Sequence, residues 1–423
     1  MTAPGAAALD PARIRELFDL RAAGYTSRGG DFSADPYPAF KRLRETGPVH
    51  PGIVGPLVGY HGEAFFQGLP FPDRPHVSAF DYATCDEVLR DSERFSASPA
   101  VLGEDAALYE TSMLYMDGQR HRNYRTLVQP SFLPRRMRWW VENWIASTVD
   151  ALLDTIEANG RADLNVEFFA PIPLLTICGS LGVDVQQALD IRAVIVEASA
   201  DAGRRFMEIV QPLVTARRAH PGDDLLSTLV QAEVADEDGT THALSDRDVL
   251  SFAYLLLAAG SGTTWKQMGI TLLALFQHPH WLAESRRDPA VLRAAVDESL
   301  RWMPTDPVFA RFAREDGELR GVPFPAGSVV HVCLAEGNRD PERWERPDEF
   351  DPSRPLRANL GFGAGPHICL GMHVARTEIA TAIGALLERF RDVRLDPEAE
   401  APRITGMYER GPTAVPVVWG RPA

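Results

Sequence analysis

A mainly helical fold with small β-sheets is what this chain's residue pattern predicts. Three observations carry that expectation. Apolar residues recur at helical spacing along most of the chain, strand candidates are few and short, and the two kinds of segment do not alternate strictly. The 423 residues, 45% of them hydrophobic, are enough for a large core. No Ser/Gly-rich tract, long charge run or repeat divides them, so a single large domain is the simplest organisation.

In chain order, "DPYPAFKRLRETG" opens after an Asp-Pro signal and stops at Gly47, as a helix does. Further helical patterns run near 86–92, 118–129, 137–158, 185–218, 224–233, 245–276, 290–302 and 371–390. The strand candidates are "VHPGIVG", "HVSAF", "SVVHVCLA" and "AVPVVW", each short and containing valine.

A net charge of −15 lacks the basic footprint that phosphate backbones require, which argues against nucleic acid as a general partner. The N-terminus has no basic-then-apolar signal pattern, and the most apolar stretch, 249–260, is too short to span a bilayer. The expectation is a cytoplasmic protein without a membrane anchor. Four cysteines in a chain this long make no disulfide framework. Cys85, Cys178 and Cys333 sit in apolar surroundings and read as small buried hydrophobes.

Cys369 differs. It lies in "FGAGPHICLG", where Gly363 and Gly365 let the backbone turn tightly and approach a flat ligand, and an amphipathic helix follows. A helix N-terminus favours a thiolate, and a thiolate is a soft ligand suited to iron. Zinc is the rival metal, but no second Cys pair or matching His pair accompanies it. A buried cysteine in a glycine-rich turn is the ordinary reading of one such residue.

The neighbours change that reading. The stretch resembles the haem-binding loop of the cytochrome P450 family, F-G-x-G-x-H-x-C-x-G, and matches it at every fixed position from Phe362 to Gly371. The resemblance runs from about Asp35 to Trp419. It implies an N-terminal extension over 1–34, a haem-thiolate domain over 35–423, and haem b between a long central helix and the helix after the cysteine loop. Cys369 would be the iron ligand, with Phe362 packed by the sulfur and His367 reaching a haem propionate. Glu298 and Arg301 of "DESLR" match the family's ExxR pair, with Arg354 as its third member. His121 and Arg125 match an HxxxR pattern whose members bind propionates, and Arg311 matches a further propionate-binding arginine. In "LLLAAGSGTTWKQMG", Gly260, Gly262 and Thr263 fall in the oxygen-binding part of the central helix. The family usually has an acid where this chain has Gly262, which puts ordinary proton delivery in doubt and suggests a relay fed by solvent.

The function implied is a monooxygenase that puts one oxygen atom from O2 into a small organic substrate. Its electrons would come from a separate ferredoxin-type donor steered to Arg135, Arg136 and Arg138, a cluster whose default reading is a solvated face. Peroxide-driven oxidation or dehydration, and a haem-based sensor or carrier, are the alternatives. Pocket segments are expected at 97–115, 305–309 and 407–412, with Asp306 and Glu409 as polar groups. "GYHGEAFFQGLPFPDRPH" inserts between two strands that form a tight hairpin in the family. Its apolar residues Phe65, Phe66, Leu69 and Phe71 are expected to cover the pocket where the lid helices after Gly182 are short. Oligomeric state is left open.

Overall fold

In the computed structural model, residues 9–19, 30–62, 71–103, 112–197, 201–235 and 239–420 are described. Helices form one large core, and a smaller sheet lies beside it. The sheet has five strands in the order Val49–Pro51, His76–Ala79, Val329–Cys333, Val308–Ala313, Phe95–Ser96. Its centre, Val329–Cys333, pairs parallel with His76–Ala79 and antiparallel with Val308–Ala313. All five residues of that strand are buried, which is why they read as a continuous apolar run rather than an alternation.

Several expected elements shift. The pattern near 86–92 is the end of a helix that starts at Tyr82, where Asp81 caps the Thr84 N–H. The stretch 185–218 is two helices, Val185–Glu197 and Ala202–Ala219. The helix expected over 224–233 stops at Val230, and Glu233–Ala235 pairs with Thr241–Ala243 instead. "VHPGIVG" yields only Val49–Pro51 before a short helix begins at Val54. Val308–Ala313, a strand in the middle of the sheet, was not expected, because Arg311 interrupts its apolar run. The helices Pro171–Ser180 and Pro279–Arg287 were also unexpected, as each opens on a proline that reads as a breaker but suits a first helical turn.

The first 34 residues are not a loose appendage where they are described. Pro11–Phe18 is a helix that buries Ile14, Leu17 and Phe18 in the main core. Arg15 pairs with Glu167 at 2.8 Å, and the Arg192 guanidinium lies 4.8 Å from the centre of the Phe18 ring.

The central helix comes in two halves. Asp246–Gly260 opens with a capping box between Ser245 and Asp248, and Thr263–Gln277 follows after a two-residue break at Ser261 and Gly262. Glycines on either side of Ser261 place the weakest helix formers at that break. The second half is buried along most of its length and packs against Pro289–Trp302 and Met372–Arg389. Those two helices carry Glu298 and Arg301, and the end of the cysteine loop.

Candidate active site

Cys369 sits three residues before the helix Met372–Arg389. Its N–H donates to the Phe362 carbonyl at 2.9 Å, which closes the loop on itself. Cys85, Cys178 and Cys333 are buried, as expected, whereas Cys369 is exposed. Burial nevertheless pushes its thiol up, with the Asp306 charge adding to the rise and the Gly371 N–H opposing it. Burial thus opposes the charged form of this thiol, while the Gly371 N–H at the start of the helix and the charges of Arg125 and Arg376 favour it.

The two loop glycines do different work. Gly363 has φ +70° and a Cβ built there meets nothing within 4 Å, so its flank is open. Gly365 has φ +69°, but its Cβ would lie 2.3 Å from the Leu89 carbonyl oxygen. Gly365 thus seats the loop on the helix Tyr82–Arg90 rather than facing a ligand, as its spacing had suggested. Gly371 is open on its side as well. Phe362 lies under the Arg376 guanidinium, 4.7 Å from its ring centre, and Arg376 in turn pairs with Asp297 at 2.6 Å.

Polar side chains gather beside the loop. The His121 and His367 rings stack at 4.0 Å, and Arg125 donates to the Ile368 carbonyl at 2.7 Å. Burial, then the charges of His367 and Arg125, takes His121 down to about 3, so both stacked rings are neutral near pH 7. The His367 Nε2 is buried without a hydrogen-bond partner, and Asp117 at 3.7 Å is too far to supply one. Arg311 is buried and donates to its neighbour's carbonyl, Ala310, at 2.8 Å. Burial lowers its guanidinium to about 10, against the charge of Asp117. Ala97, Leu114, Tyr115, Phe309, Arg311 and His367 line one recess.

Asp117 was missed by sequence reasoning, although it precedes the "GQRHRNYR" helix as an N-cap. It accepts from the Ser96 hydroxyl, the Ala97 N–H and Arg314. Burial works against its charge, but the Ser96 and Ala97 donors and the Arg314 charge hold the carboxyl below its usual range.

The Glu298, Arg301 and Arg354 group closes fully. Arg301 meets Glu298 through two bonds of 2.8 and 2.7 Å and donates to the carbonyls of Asn338, Pro347 and Glu349. Arg354 reaches Glu298 at 3.1 Å. Asn338 then accepts from the Leu360 N–H at 2.6 Å, which ties the group to the start of the cysteine loop.

In the central helix, Gly260 ends the first half against Ile177, and Thr263 begins the second half after Gly262. The Thr305 hydroxyl lies 3.5 Å from the Thr263 carbonyl. One turn further on, Lys266 forms a buried ion pair with Glu409, the two being 2% and 1% exposed. Glu409 was expected to line the pocket, but it is buried, and Met407 and Tyr408 beside it pack into the cluster of Tyr37, Phe40 and Phe80. Lys266 was missed. Its signal was composition: Lys41 and Lys266 are the only lysines among 43 basic residues.

Phe65, Phe66 and Leu69 of the insert lie outside the described residues. Phe71 packs edge-on against Phe312 at 5.8 Å, beside the recess-lining strand. Among the described residues no single helix is long and apolar enough to cross a membrane.

Residues 170–407 match the family model for cytochrome P450. The chain is 34% identical over 411 residues to the cytochrome P450 monooxygenase PikC of Streptomyces venezuelae, covering 93% of each chain. It is also 34% identical over 386 residues to 6-deoxyerythronolide B hydroxylase of Saccharopolyspora erythraea, covering 87% of this chain and 92% of that one. Among solved structures, cytochrome P450 PksS of the Bacillus subtilis 168 bacillaene polyketide synthase superposes with a TM-score of 0.79. It is 28% identical, over 94% of this chain and all of that one.

Proposed function

This chain belongs to the cytochrome P450 family and is a monooxygenase whose cofactor is haem b and whose co-substrate is O2; from that premise we propose that it hydroxylates a C–H bond of a small organic molecule. Electrons come from a separate ferredoxin and its reductase. Haem supplies the oxygen activation, which with two electrons and two protons converts O2 to one water and one oxygen atom in the product.

The residues present fit that group. Cys369 is the only exposed one of the four cysteines, and the flanks of Gly363 and Gly371 are open beside it. Cys369 would hold the iron and Phe362 would pack by the sulfur. Arg125, Arg311, His121 and His367 would receive the propionates. An unpartnered imidazole nitrogen on His367 and a buried Arg311 are what two carboxylates would complete, since buried charge requires pairing. The Glu298, Arg301 and Arg354 group fixes the loop from behind. Thr263, with Gly260 and Gly262 beside it, would face the oxygen.

The observation that carries this reading is the accessible Cys369 in its loop, with the unpartnered His367 Nε2 two residues before it and the buried Arg311 guanidinium lining the same recess as His367. The test is to supply the purified protein with ferredoxin, reductase and reduced nicotinamide. Hydroxylated product that requires O2 is the expected result. Product formed only from peroxide would instead favour the peroxide-driven reading, and haem reduction without any product would favour a sensor.

A further inference from the structure

The recess beside His367 has two sides. Ala97, Leu114 and Tyr115 supply one, and the strand Val308–Ala313 supplies the other. Phe309, Ala310, Arg311 and Phe312 all line it. Neighbouring strand residues face opposite sides of a sheet, so a recess that touches four in a row lies along the strand's edge. The edge strand Phe95–Ser96 pairs with that edge as far as Ser96, opposite Phe312. From there the chain passes the recess at Ala97 and folds into the turn Pro99–Leu102, which ends at Gly103 with φ +78°. Leu102 packs with Ala310, Phe312 and Val329.

A third element holds the turn to the strand. The last residues of the insert, Phe71 to His76, reach both. Arg74 donates from its guanidinium to the Leu102 carbonyl. Phe71 meets Phe312 edge-on at 5.8 Å and joins the Leu102 cluster. The segment that presents these two side chains is itself fixed. The Phe71 carbonyl accepts from the Arg74 N–H at 3.0 Å and from the His76 ring at 2.9 Å. A carbonyl only accepts, so His76 Nε2 carries the proton. Burial keeps both His76 and His331 neutral near pH 7, so His76 Nδ1 accepts from the His331 Nε2–H at 2.9 Å. His331 is buried in the central strand, and the Val329 N–H of the same strand donates to the Pro75 carbonyl at 2.9 Å. Arg74 and Phe71 thus act from a base anchored in the sheet.

We propose that Arg74 and Phe71 are positioning residues that clamp the turn Pro99–Leu102 against Val308–Ala313, and that this clamp sets the size of molecule the recess admits to the iron. The inference rests on the haem-thiolate reading above. Arg311 and His367 would be taken up by the propionates. The remaining lining, Ala97, Leu114, Tyr115 and Phe309, suits an apolar molecule. The turn bounds the space left for it. One guanidinium bond and one aromatic contact hold that turn in place, and removing either frees it to swing from the strand edge.

Imidazole and phenylimidazole are suitable probes in the ferric holoenzyme. Both ligate haem iron through a ring nitrogen, and they differ by one phenyl group. Stopped-flow absorbance gives their association and dissociation rates. Arg74→Ala and Phe71→Ala are each expected to speed phenylimidazole about 10-fold in both directions and to leave imidazole unchanged. Arg74→Lys keeps a donor for the Leu102 carbonyl and Phe71→Leu keeps apolar cover, so both are expected to stay near wild type. The double alanine variant should be no faster than either single one, because the same turn is released only once. Phe71 and Arg74 are only partly buried, so alanine at either leaves the core intact. Equal acceleration of both probes, or unchanged phenylimidazole rates in both alanine variants, would overturn the clamp. The spectrum of the reduced, carbon monoxide-bound form is read in the same samples. A wild type without the thiolate signature would refute the haem-thiolate reading instead, which keeps the two failures distinct.

Discussion

The two walls of the site bury charge in different ways. Behind the cysteine loop, Glu298, Arg301 and Arg354 share bonds among themselves and with three further carbonyls, so every charge has several partners. In the second half of the central helix, Lys266 faces Glu409, a partner from a distant segment. The first arrangement is a brace, because it leaves nothing for a proton to do. The second is a simple ion pair, one ammonium sealed against one carboxylate. Substitutions that treat the two walls alike should therefore give unlike results.

The largest difference concerns stability. Breaking either network by one member strands a buried charge and should cost about 3–5 kcal/mol, read as a fall in the denaturation midpoint. Glu298→Met and Lys266→Met are both expected to do this. The double variants should part company. Lys266→Met/Glu409→Met is expected to recover most of the loss, since an apolar pair can replace a simple ion pair. Glu298→Met/Arg301→Met should not recover, because the Asn338, Pro347 and Glu349 carbonyls lose their donor. Equal recovery in both would erase the distinction drawn here.

The pH dependence of stability should also separate regions, with opposite signs. Burial, helped by the His76 charge, lowers His331 from 6.5 to about 3. Between those values the unfolded chain binds a proton that the folded chain does not. Stability from this group is complete above pH 6.5 and falls by ~1.4 kcal/mol for each unit below it. Glu378, in the helix after the cysteine loop, is raised by burial from 4.5 to about 8. There the folded chain keeps a proton that the unfolded chain releases, so stability falls as pH rises across that window. Thermal midpoints against pH should flatten on the acid side in His331→Leu and on the alkaline side in Glu378→Gln.

The brace was legible in the sequence because its members sit in short motifs. Glu298 and Arg301 are three residues apart on one helix, and "FGAGPHICLG" is contiguous. The opposite wall was legible only in part. Gly260 to Thr263 announced the break in the central helix by composition. Lys266 meets a partner 143 residues away, and no local pattern marks a contact that only the tertiary fold creates. Asp117 escaped for a related reason: it reads as a helix cap, and its bonds to Ser96 and Arg314 come from other elements. Gly365 carried a second lesson. Its positive φ was readable, but the Leu89 carbonyl that demands it was not.

The smallest expected effect is at the surface. Arg135 and Arg138 are exposed, and Arg138 pairs with Glu142 four residues on. Arg135→Glu/Arg138→Glu should leave the denaturation midpoint unchanged. At low salt it should slow reduction by an acidic ferredoxin about 10-fold, with the difference shrinking as ionic strength rises. Stopped-flow reduction of the haem at two salt concentrations checks this.

All of these contrasts presuppose that Cys369 is the iron ligand, and one spectrum tests that most directly. The reduced, carbon monoxide-bound protein is predicted to show the strongly red-shifted absorption of a thiolate-ligated haem, and Cys369→Ser is predicted to lose it while still binding haem. A Cys369→Ser protein that keeps the thiolate spectrum would contradict the account.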